Sequence, residues 1–253
     1  MPATELSSQQ QVQEDEYGLP VHFRDAIDGS GLNPVVIEYQ ARLRLVTRLI
    51  LEANPRRVLD AGCGDGRFCY ELKDLGIELV GVDYSAAALR FAKAFAPSVS
   101  FYRQDLASLE VVGRFDAILC METIEHLKPE MLRRVVDGLA RVAEPGARLV
   151  VTVPSEELAL AAKHYQHFTP ASLERVLSPD FSIDRMLGLH PLGGLGRLRL
   201  RAWTAAAYAL FPFRDGSRFC RHVLRNTKRV ADQTQVREDP RGCGHLVAVC
   251  VRR

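Results

Sequence analysis

Apolar residues along this chain occur in two kinds of segment. Some form short continuous runs bounded by turn residues, which is typical of buried parallel strands. Others recur every three or four positions over longer stretches, which is typical of helices that bury one face. The two kinds alternate between residues 57 and 154. This alternation predicts βαβ units and therefore a parallel sheet with helices on both faces.

Turn residues mark the limits of several elements. Asn54-Pro55 ends the first long helical pattern, Gly76 suits a helix C-cap, and Thr169 before Pro170 is typical of a capped helix start. Strands are predicted at 57–59, 78–83, 99–103, 115–120, 144–154 (with its turn), 181–187 and 246–251, and helices at 34–53, 67–75, 85–95, 129–142 and from residue 170.

The first strand runs directly into a glycine-rich turn, VLDAGCGDG, over residues 58–66. Glycines let the backbone approach a ligand closely, and the following helix start favours an anionic or polar ligand. The dinucleotide fingerprint is G-x-G-x-x-G, whereas here the order is Gly62-x-Gly64-x-Gly66, so the spacing disfavours a dehydrogenase. An acid at the end of the second strand, Asp83, suits ribose hydroxyls in either case.

With Asp60 before the glycines, the turn resembles the first motif of Rossmann-like S-adenosylmethionine (SAM)-dependent methyltransferases. An acid after the third strand, the segment FDAILCMETIEHL at 115–127 and EPGARLVVTVP at 144–154 match later motifs in the right order. The resemblance covers residues 34–187. It implies an α/β fold: a Rossmann-like seven-stranded, mostly parallel sheet with helices on both faces, an N-terminal helical cap, and a helical insertion before the last strand. The last two strands would form an antiparallel pair at the sheet edge.

The resemblance also implies which residues hold SAM. Asp60 would contact the amino-acid portion directly or through water, Asp83 the ribose, and Asp105 the adenine amino group. Arg42 would meet the SAM carboxylate, a solvated helix arginine being the alternative, and Met121 would either cover the adenine or simply end a strand. The implied cofactor-binding residues are Arg42, Asp60, Gly62, Cys63, Gly64, Asp83, Tyr84, Asp105, Leu106 and Met121.

Residues 120–127 resemble the ubiquinone-biosynthesis O-methyltransferases, in which two acids and a histidine hold a divalent cation. On one helical turn Glu122, Glu125 and His126 would share a face. Bound there, Mg²⁺ or another divalent cation would lower the pKa of an attacking hydroxyl. Without a metal, His126 or His167 would act as general base. The candidate catalytic residues are therefore Glu125, His126 and His167.

The predicted function is SAM-dependent methyl transfer to a hydroxyl, or less favourably an amine, of a small or lipid-linked metabolite. Two alternatives stay open. His126 and the later His167 before Phe168 also resemble the RNA 3′-end ribose 2′-O-methyltransferases, although no platform of stacking aromatics accompanies the basic residues, which makes nucleic acid the less favoured partner. A SAM-binding regulatory subunit without catalysis is the other alternative.

Composition narrows the class of protein. A chain of 253 residues with 47% hydrophobic and 25% charged residues suits one sizeable globular domain, and a formal charge of +2 does not by itself indicate nucleic-acid binding. The longest apolar runs fall short of the ~20 residues of a membrane span, and the polar start is unlike a signal peptide. The six cysteines lack metal or disulfide spacing, so a cytoplasmic enzyme with reduced thiols is expected.

Two segments lie outside the resemblance. Residues 1–33 are predicted to form a flexible tail and cap, with 1–16 polar, acidic and mobile, and the methyltransferase domain would span 34–253. Residues 191–243 form a basic insertion: between 195 and 230 nine bases and a single acid surround an apolar patch. We expect a helical lid here, which could also contact an anionic membrane peripherally.

Overall fold

The structure is a computed structural model of the 253-residue chain. It describes residues 7–23, 34–111, 113–193 and 236–253, together with the single residues 198, 202, 205, 206 and 209. The helices are α1 (Ser8–Glu16), α2 (Pro34–Leu51), α3 (Arg67–Leu72), α4 (Ala86–Phe95), α5 (Leu132–Val142) and α6 (Pro170–Leu177). The strands are β1 (Arg57–Ala61), β2 (Glu78–Asp83), β3 (Ser100–Arg103), β4 (Phe115–Met121), β5 (Ala143–Pro154), β6 (Phe181–Pro191), β7 (Val236–Arg237) and β8 (Cys243–Arg252).

The strands form one sheet in the order β3-β2-β1-β4-β5-β8-β6-β7. Strands β1 to β5 are parallel to one another, whereas β8 lies antiparallel between β5 and β6. The predicted Rossmann-like sheet and its antiparallel pair are confirmed. The sheet has eight strands in its described part rather than seven, because Val236–Arg237 adds a two-residue strand to β6.

Alternate side chains of the central strands build two separate cores, since successive residues of a strand point to opposite faces. Leu59 of β1 packs in a cluster with α5 and α6, and its neighbour Val58 packs on the other face with α2, α3 and α4. Both residues are at most 1% exposed. The continuous apolar run of β1 is explained by this burial of both faces of the sheet.

The predicted mobile tail over residues 1–16 is wrong for its described part. Residues Ser8–Glu16 form α1, which starts with a capping box in which Ser7 and Gln10 exchange side-chain and backbone hydrogen bonds. This helix buries none of its own residues. It is attached through polar contacts, such as the 2.8 Å bond from the Tyr84 hydroxyl to Gln13. A helix held in this way has no apolar periodicity to reveal it in the sequence.

The predicted insertion, residues 191–243, lies mostly outside the described residues, and so does its basic part at 195–230. Its described end consists of β7 and the turn that leads into β8. Among the helices that the structure describes, none has the length and apolar character needed to cross a membrane.

Candidate active site

A cavity of about 600 Å³ lies at the carboxyl ends of the parallel strands, next to the β1–β4 boundary where the strand order reverses. Open α/β sheets bind their ligands at such a boundary. Helices α1 and α2 contribute to its wall. All ten cofactor-binding residues predicted from the sequence line the cavity: Arg42, Asp60, Gly62, Cys63, Gly64, Asp83, Tyr84, Asp105, Leu106 and Met121.

The glycine-rich turn needs its glycines for two reasons. Gly62, Gly64 and Gly66 have φ angles of 85°, 52° and 78°, which other residues adopt only with strain. A Cβ atom on Gly62 would also lie 2.4 Å from the Thr123 side chain, and one on Gly64 would lie 2.6 Å from the Tyr17 hydroxyl. The turn therefore presents bare backbone to the cavity, as the sequence predicted.

Asp83 connects this turn to the end of β2. Its carboxylate accepts one hydrogen bond from the Gly64 backbone N–H and another from the Ser85 backbone N–H, both at 2.8 Å. Burial raises the pKa of Asp83, and these two backbone donors oppose the rise. A carboxylate has about four acceptor positions, so this side chain can still accept hydrogen bonds from a ligand in the cavity.

Asp60 lies deeper, 3% exposed, and accepts a hydrogen bond from the Cys69 thiol at 3.6 Å. Burial raises the pKa of its carboxyl from 3.8 to about 7, and the Cys69 thiol only partly offsets this. The folded protein therefore binds this proton more tightly than the unfolded chain does. The contribution of Asp60 to folding stability is most favourable below the unfolded pKa and is lost as the pH rises through about 7.

Replacement by asparagine should remove this dependence on pH. In urea denaturation without ligand, we expect Asp60→Asn to gain free energy of unfolding relative to the wild type at about pH 8, and to gain little at about pH 4. An equal difference at both pH values would contradict the raised pKa.

The N-terminal segment supplies a wall of the cavity that the sequence analysis missed. Tyr17, 7% exposed, lies over Gly64, and His22 donates its backbone N–H to Asp65 and pairs with the same carboxylate through Nδ1 at 2.8 Å. The His22 ring stacks on Tyr39 with centroids 4.8 Å apart. The signal in the sequence was YGLPVHF at 17–23, an aromatic cluster that a solvated tail would not need.

The far end of the cavity contains Glu125, His126 and His164, whose potential ligand atoms lie within 4.8 Å of one another. Glu125 is fully buried, and neither of its carboxylate oxygens has a hydrogen-bond partner among the described residues. Burial raises the pKa of Glu125 well above its ordinary value, and the nearby Glu122 adds to the rise. A buried acid whose oxygens make no hydrogen bond is costly, even with His126 Nε2 at 3.8 Å, so this cluster is suited to receive a ligand.

Hydrogen bonds fix the tautomers of the histidines around this cluster. His126 Nδ1 lies 3.1 Å from the Lys163 carbonyl, and His167 Nδ1 lies 3.1 Å from the Leu158 carbonyl, so both nitrogens must donate. His167 Nε2 then accepts from His164 Nδ1, 2.9 Å away. The lone pairs of His126 and His164 are thereby left on Nε2. Burial lowers the pKa of both rings, that of His164 to about 4, which keeps them neutral.

Glu122 does not join this cluster, and the prediction that it shares a face with Glu125 and His126 is wrong. It directly follows β4 with a φ of 50°, and of residues 122–126 only Ile124–His126 is helical, as a single 3₁₀ turn. Its carboxylate instead pairs with Arg42 at 3.0 Å and with His245 at 3.2 Å.

The prediction that His167 is a catalytic residue also needs correction. Among the described residues, the cavity wall includes His164 and not His167. His167 lies behind His164 and holds it through the 2.9 Å bond. Nothing in the sequence pattern distinguishes which of these two histidines lines the cavity, and the structure places His164 there.

The comparisons with known proteins agree with this geometry. A profile of the methyltransferase domain family matches residues 58–146. The ubiquinone biosynthesis O-methyltransferase of Alkalilimnicola ehrlichii is 32% identical over 126 residues, about half of each chain (47% and 47%). The enzyme of the same name from Xanthomonas oryzae pv. oryzae is 33% identical over 216 residues, which cover 81% of this chain and 80% of that one. The chain is a class I SAM-dependent methyltransferase.

Solved structures show the same fold. The N-methyltransferase NodS from Bradyrhizobium japonicum WM9, in complex with S-adenosyl-L-homocysteine (SAH), superposes with a TM-score of 0.65 at 17% identity, over 97% of this methyltransferase and 99% of NodS. SAM is the cofactor of the family, and the ten residues predicted to bind it line the cavity at the β1–β4 boundary.

Proposed function

We propose that this methyltransferase transfers the methyl group of SAM to a hydroxyl of a small or lipid-linked metabolite. The observation that carries the proposal is the cluster of Glu125, His126 and His164, which lies in the same cavity as the predicted SAM residues. A hydroxyl must lose its proton to attack, and this cluster offers groups that take a proton or hold a cation. The names of the relatives that are 32–33% identical support a hydroxyl acceptor.

SAM itself needs no activation, because its methyl group already sits on a positively charged sulfur. The protein therefore has to bind and align it. In our proposal, Asp83 accepts the ribose hydroxyls, Asp105 accepts the adenine amino group, and the glycine-rich turn with Arg42 receives the amino-acid end. The buried carboxylate of Asp83, held at 2.8 Å by two backbone donors, supports its part.

The acceptor hydroxyl would bind beside Nε2 of His126 and His164. A divalent cation fits the same cluster, since a buried carboxyl group without a hydrogen bond and two neutral imidazoles form a suitable donor set. The other ring nitrogens of the two histidines are already hydrogen-bonded. Two imidazoles favour Mn²⁺ or Zn²⁺ over Mg²⁺. When bound, the cation would act as a Lewis acid that lowers the pKa of the hydroxyl. Without a cation, His126 Nε2 would accept the hydroxyl proton; with one, His126 would instead be one of the residues that hold the cation.

A methyl-transfer assay tests the proposal. Labelled SAM is supplied with a metabolite extract or with small RNA, each with EDTA and then with Mn²⁺ or Mg²⁺ restored. We expect label in metabolites as an acid- and base-stable methyl ether, loss of transfer in EDTA, and better recovery with Mn²⁺ than with Mg²⁺. Label only in RNA would establish the RNA 3′-end alternative, and label only on amines would overturn the hydroxyl acceptor.

Transfer that persists in EDTA would show that the reaction needs no divalent cation, and His126 would then be the metal-free base.

Contact with an anionic membrane through residues 195–230 stays a prediction, because nearly all of that segment lies outside the described residues. Co-sedimentation with anionic vesicles at low salt tests it, and protein that stays in the supernatant would contradict it.

A further inference from the structure

A second polar group lies beside the cavity, at the ends of β4, β5 and β8. Glu122 is its centre: one carboxylate oxygen accepts from the Thr152 hydroxyl at 2.8 Å, and the other lies 3.0 Å from Arg42 and 3.2 Å from His245 Nε2. Among these residues, Arg42 and Glu122 line the cavity. Burial opposes ionisation of Glu122, but Arg42 and His245 outweigh it and hold its pKa below the ordinary value. This acid is therefore a fixed negative charge close to the cofactor.

The backbone indicates that this arrangement is imposed by the fold. Glu122 has a φ of 50° and His190, whose ring lies 5.2 Å from that of His245, has a φ of 59°. Left-handed backbone is unfavourable for such residues, and strain of this kind clusters at functional sites. His245 is itself placed by the sheet, where it pairs with Pro154 of β5 and Leu189 of β6.

These contacts define a competition for the charge of Arg42. If Glu122 had no other partner, it would be compensated by Arg42 alone, and the guanidinium would have less attraction left for a second carboxylate. The Thr152 hydroxyl donates a hydrogen bond to one oxygen of Glu122, and His245 Nε2 lies 3.2 Å from the other, so both residues share its negative charge. Arg42, whose side chain is 12% exposed, can then pair with Glu122 and still face the cavity.

We propose that His245 is a positioning residue for SAM, which acts by sharing the Glu122 carboxylate so that Arg42 stays available to the carboxylate at the amino-acid end of the cofactor. The inference rests on the proposed placement of Arg42 at that end of SAM. It gives Glu122 a role in cofactor binding in place of a role as metal ligand. It also makes a residue on the antiparallel strand β8 part of the cofactor site.

Binding of SAH, measured by isothermal titration, tests the inference directly, because SAH keeps the amino-acid end and undergoes no reaction. His245→Leu removes the donor, and we expect SAH affinity to fall about tenfold. This loss corresponds to the free energy that one hydrogen bond to a charged group contributes. His245→Gln keeps a donor and should stay within about threefold of the wild type. The KM for SAM should rise in parallel in His245→Leu, while kcat at saturating SAM stays unchanged.

A double variant distinguishes sharing of charge from packing. When Glu122→Gln removes the charge, the His245→Leu change should have no further effect on SAH affinity. Equal losses in His245→Leu and His245→Gln, additive losses in the double variant, or a fall in kcat with unchanged SAH affinity would each overturn the inference. Should His245→Leu fail to fold, Thr152→Val removes the other donor with little change of shape, and a loss of SAH affinity that depends on Glu122 is expected again.

The variant Arg42→Gln tests the proposed placement of Arg42 at the amino-acid end of SAM separately from the role of His245. If Arg42→Gln leaves SAH affinity unchanged, the placement of Arg42 at the amino-acid end is wrong, and the inference falls with it. If Arg42→Gln weakens SAH binding and His245→Leu does not, Arg42 keeps its proposed place and only the role of His245 is overturned.

Discussion

Replacement of Asp83 by asparagine is expected to weaken SAM and SAH binding by about 100-fold, since hydrogen bonds to a charged group contribute about 1.5–3 kcal/mol each. Its carboxylate already accepts the Gly64 and Ser85 backbone N–H groups at 2.8 Å. An amide would place its own NH₂ group opposite one of these donors, and it would lose the negative charge that two ribose hydroxyls would share. The effect therefore combines a weaker ribose contact with a disturbed turn.

The chain offers a matched control for this variant. Asp116 also accepts two backbone N–H groups, those of Arg56 and Arg57 at 2.9 Å each, but it lies at the opposite end of its strand, away from the cavity. Asp116→Asn should leave SAH affinity unchanged in isothermal titration, while both variants keep the far-ultraviolet circular dichroism of the wild type. A folded Asp83→Asn protein that binds SAH normally would reject the proposed ribose contact.

The cofactor end of the cavity was predictable because its determinants are local in sequence. A strand, three glycines at alternate positions and a helix start fix the turn by themselves, with φ angles that only glycine adopts easily. Asp83, which ends β2, and Asp105, which follows β3, lie at the same edge because neighbouring parallel strands end there. All ten residues predicted from these motifs and from α2 therefore line the cavity.

The acceptor end was only partly predictable because it is assembled from distant segments. Helical spacing grouped Glu122 with Glu125, but the left-handed backbone at Glu122 turns its side chain toward Arg42 and His245 instead. His164 comes from the segment after β5, which is tied to the cluster by the bond from the Tyr165 backbone N–H to the Glu125 carbonyl. No local pattern encodes such a long-range bond.

Replacement of His126 by asparagine is expected to lower kcat by about 100- to 10,000-fold, the usual contribution of a positioned proton-transfer group. Asparagine can still donate to the Lys163 carbonyl, which lies 3.1 Å from Nδ1 in the wild type, but it has no lone pair at the position of Nε2. The cavity then lacks the group that would accept the hydroxyl proton or hold the cation. SAH affinity should stay within about twofold of the wild type, since His126 lies at the acceptor end.

The same substitution at His167 provides the comparison that decides between direct and indirect roles. Among the described residues, the hydrogen bond of His167 to the cluster is the one with His164. His167→Asn should therefore lower kcat by about tenfold or less, which corresponds to the free energy of one hydrogen bond. If both histidines acted directly on the acceptor, the two variants would lose activity to a similar extent. Unchanged kcat in His126→Asn, with a substrate that the methyl-transfer assay has identified, would contradict its catalytic role. Because Glu125 and His164 would remain in place, such a result would leave those two residues as the ones that prepare the acceptor.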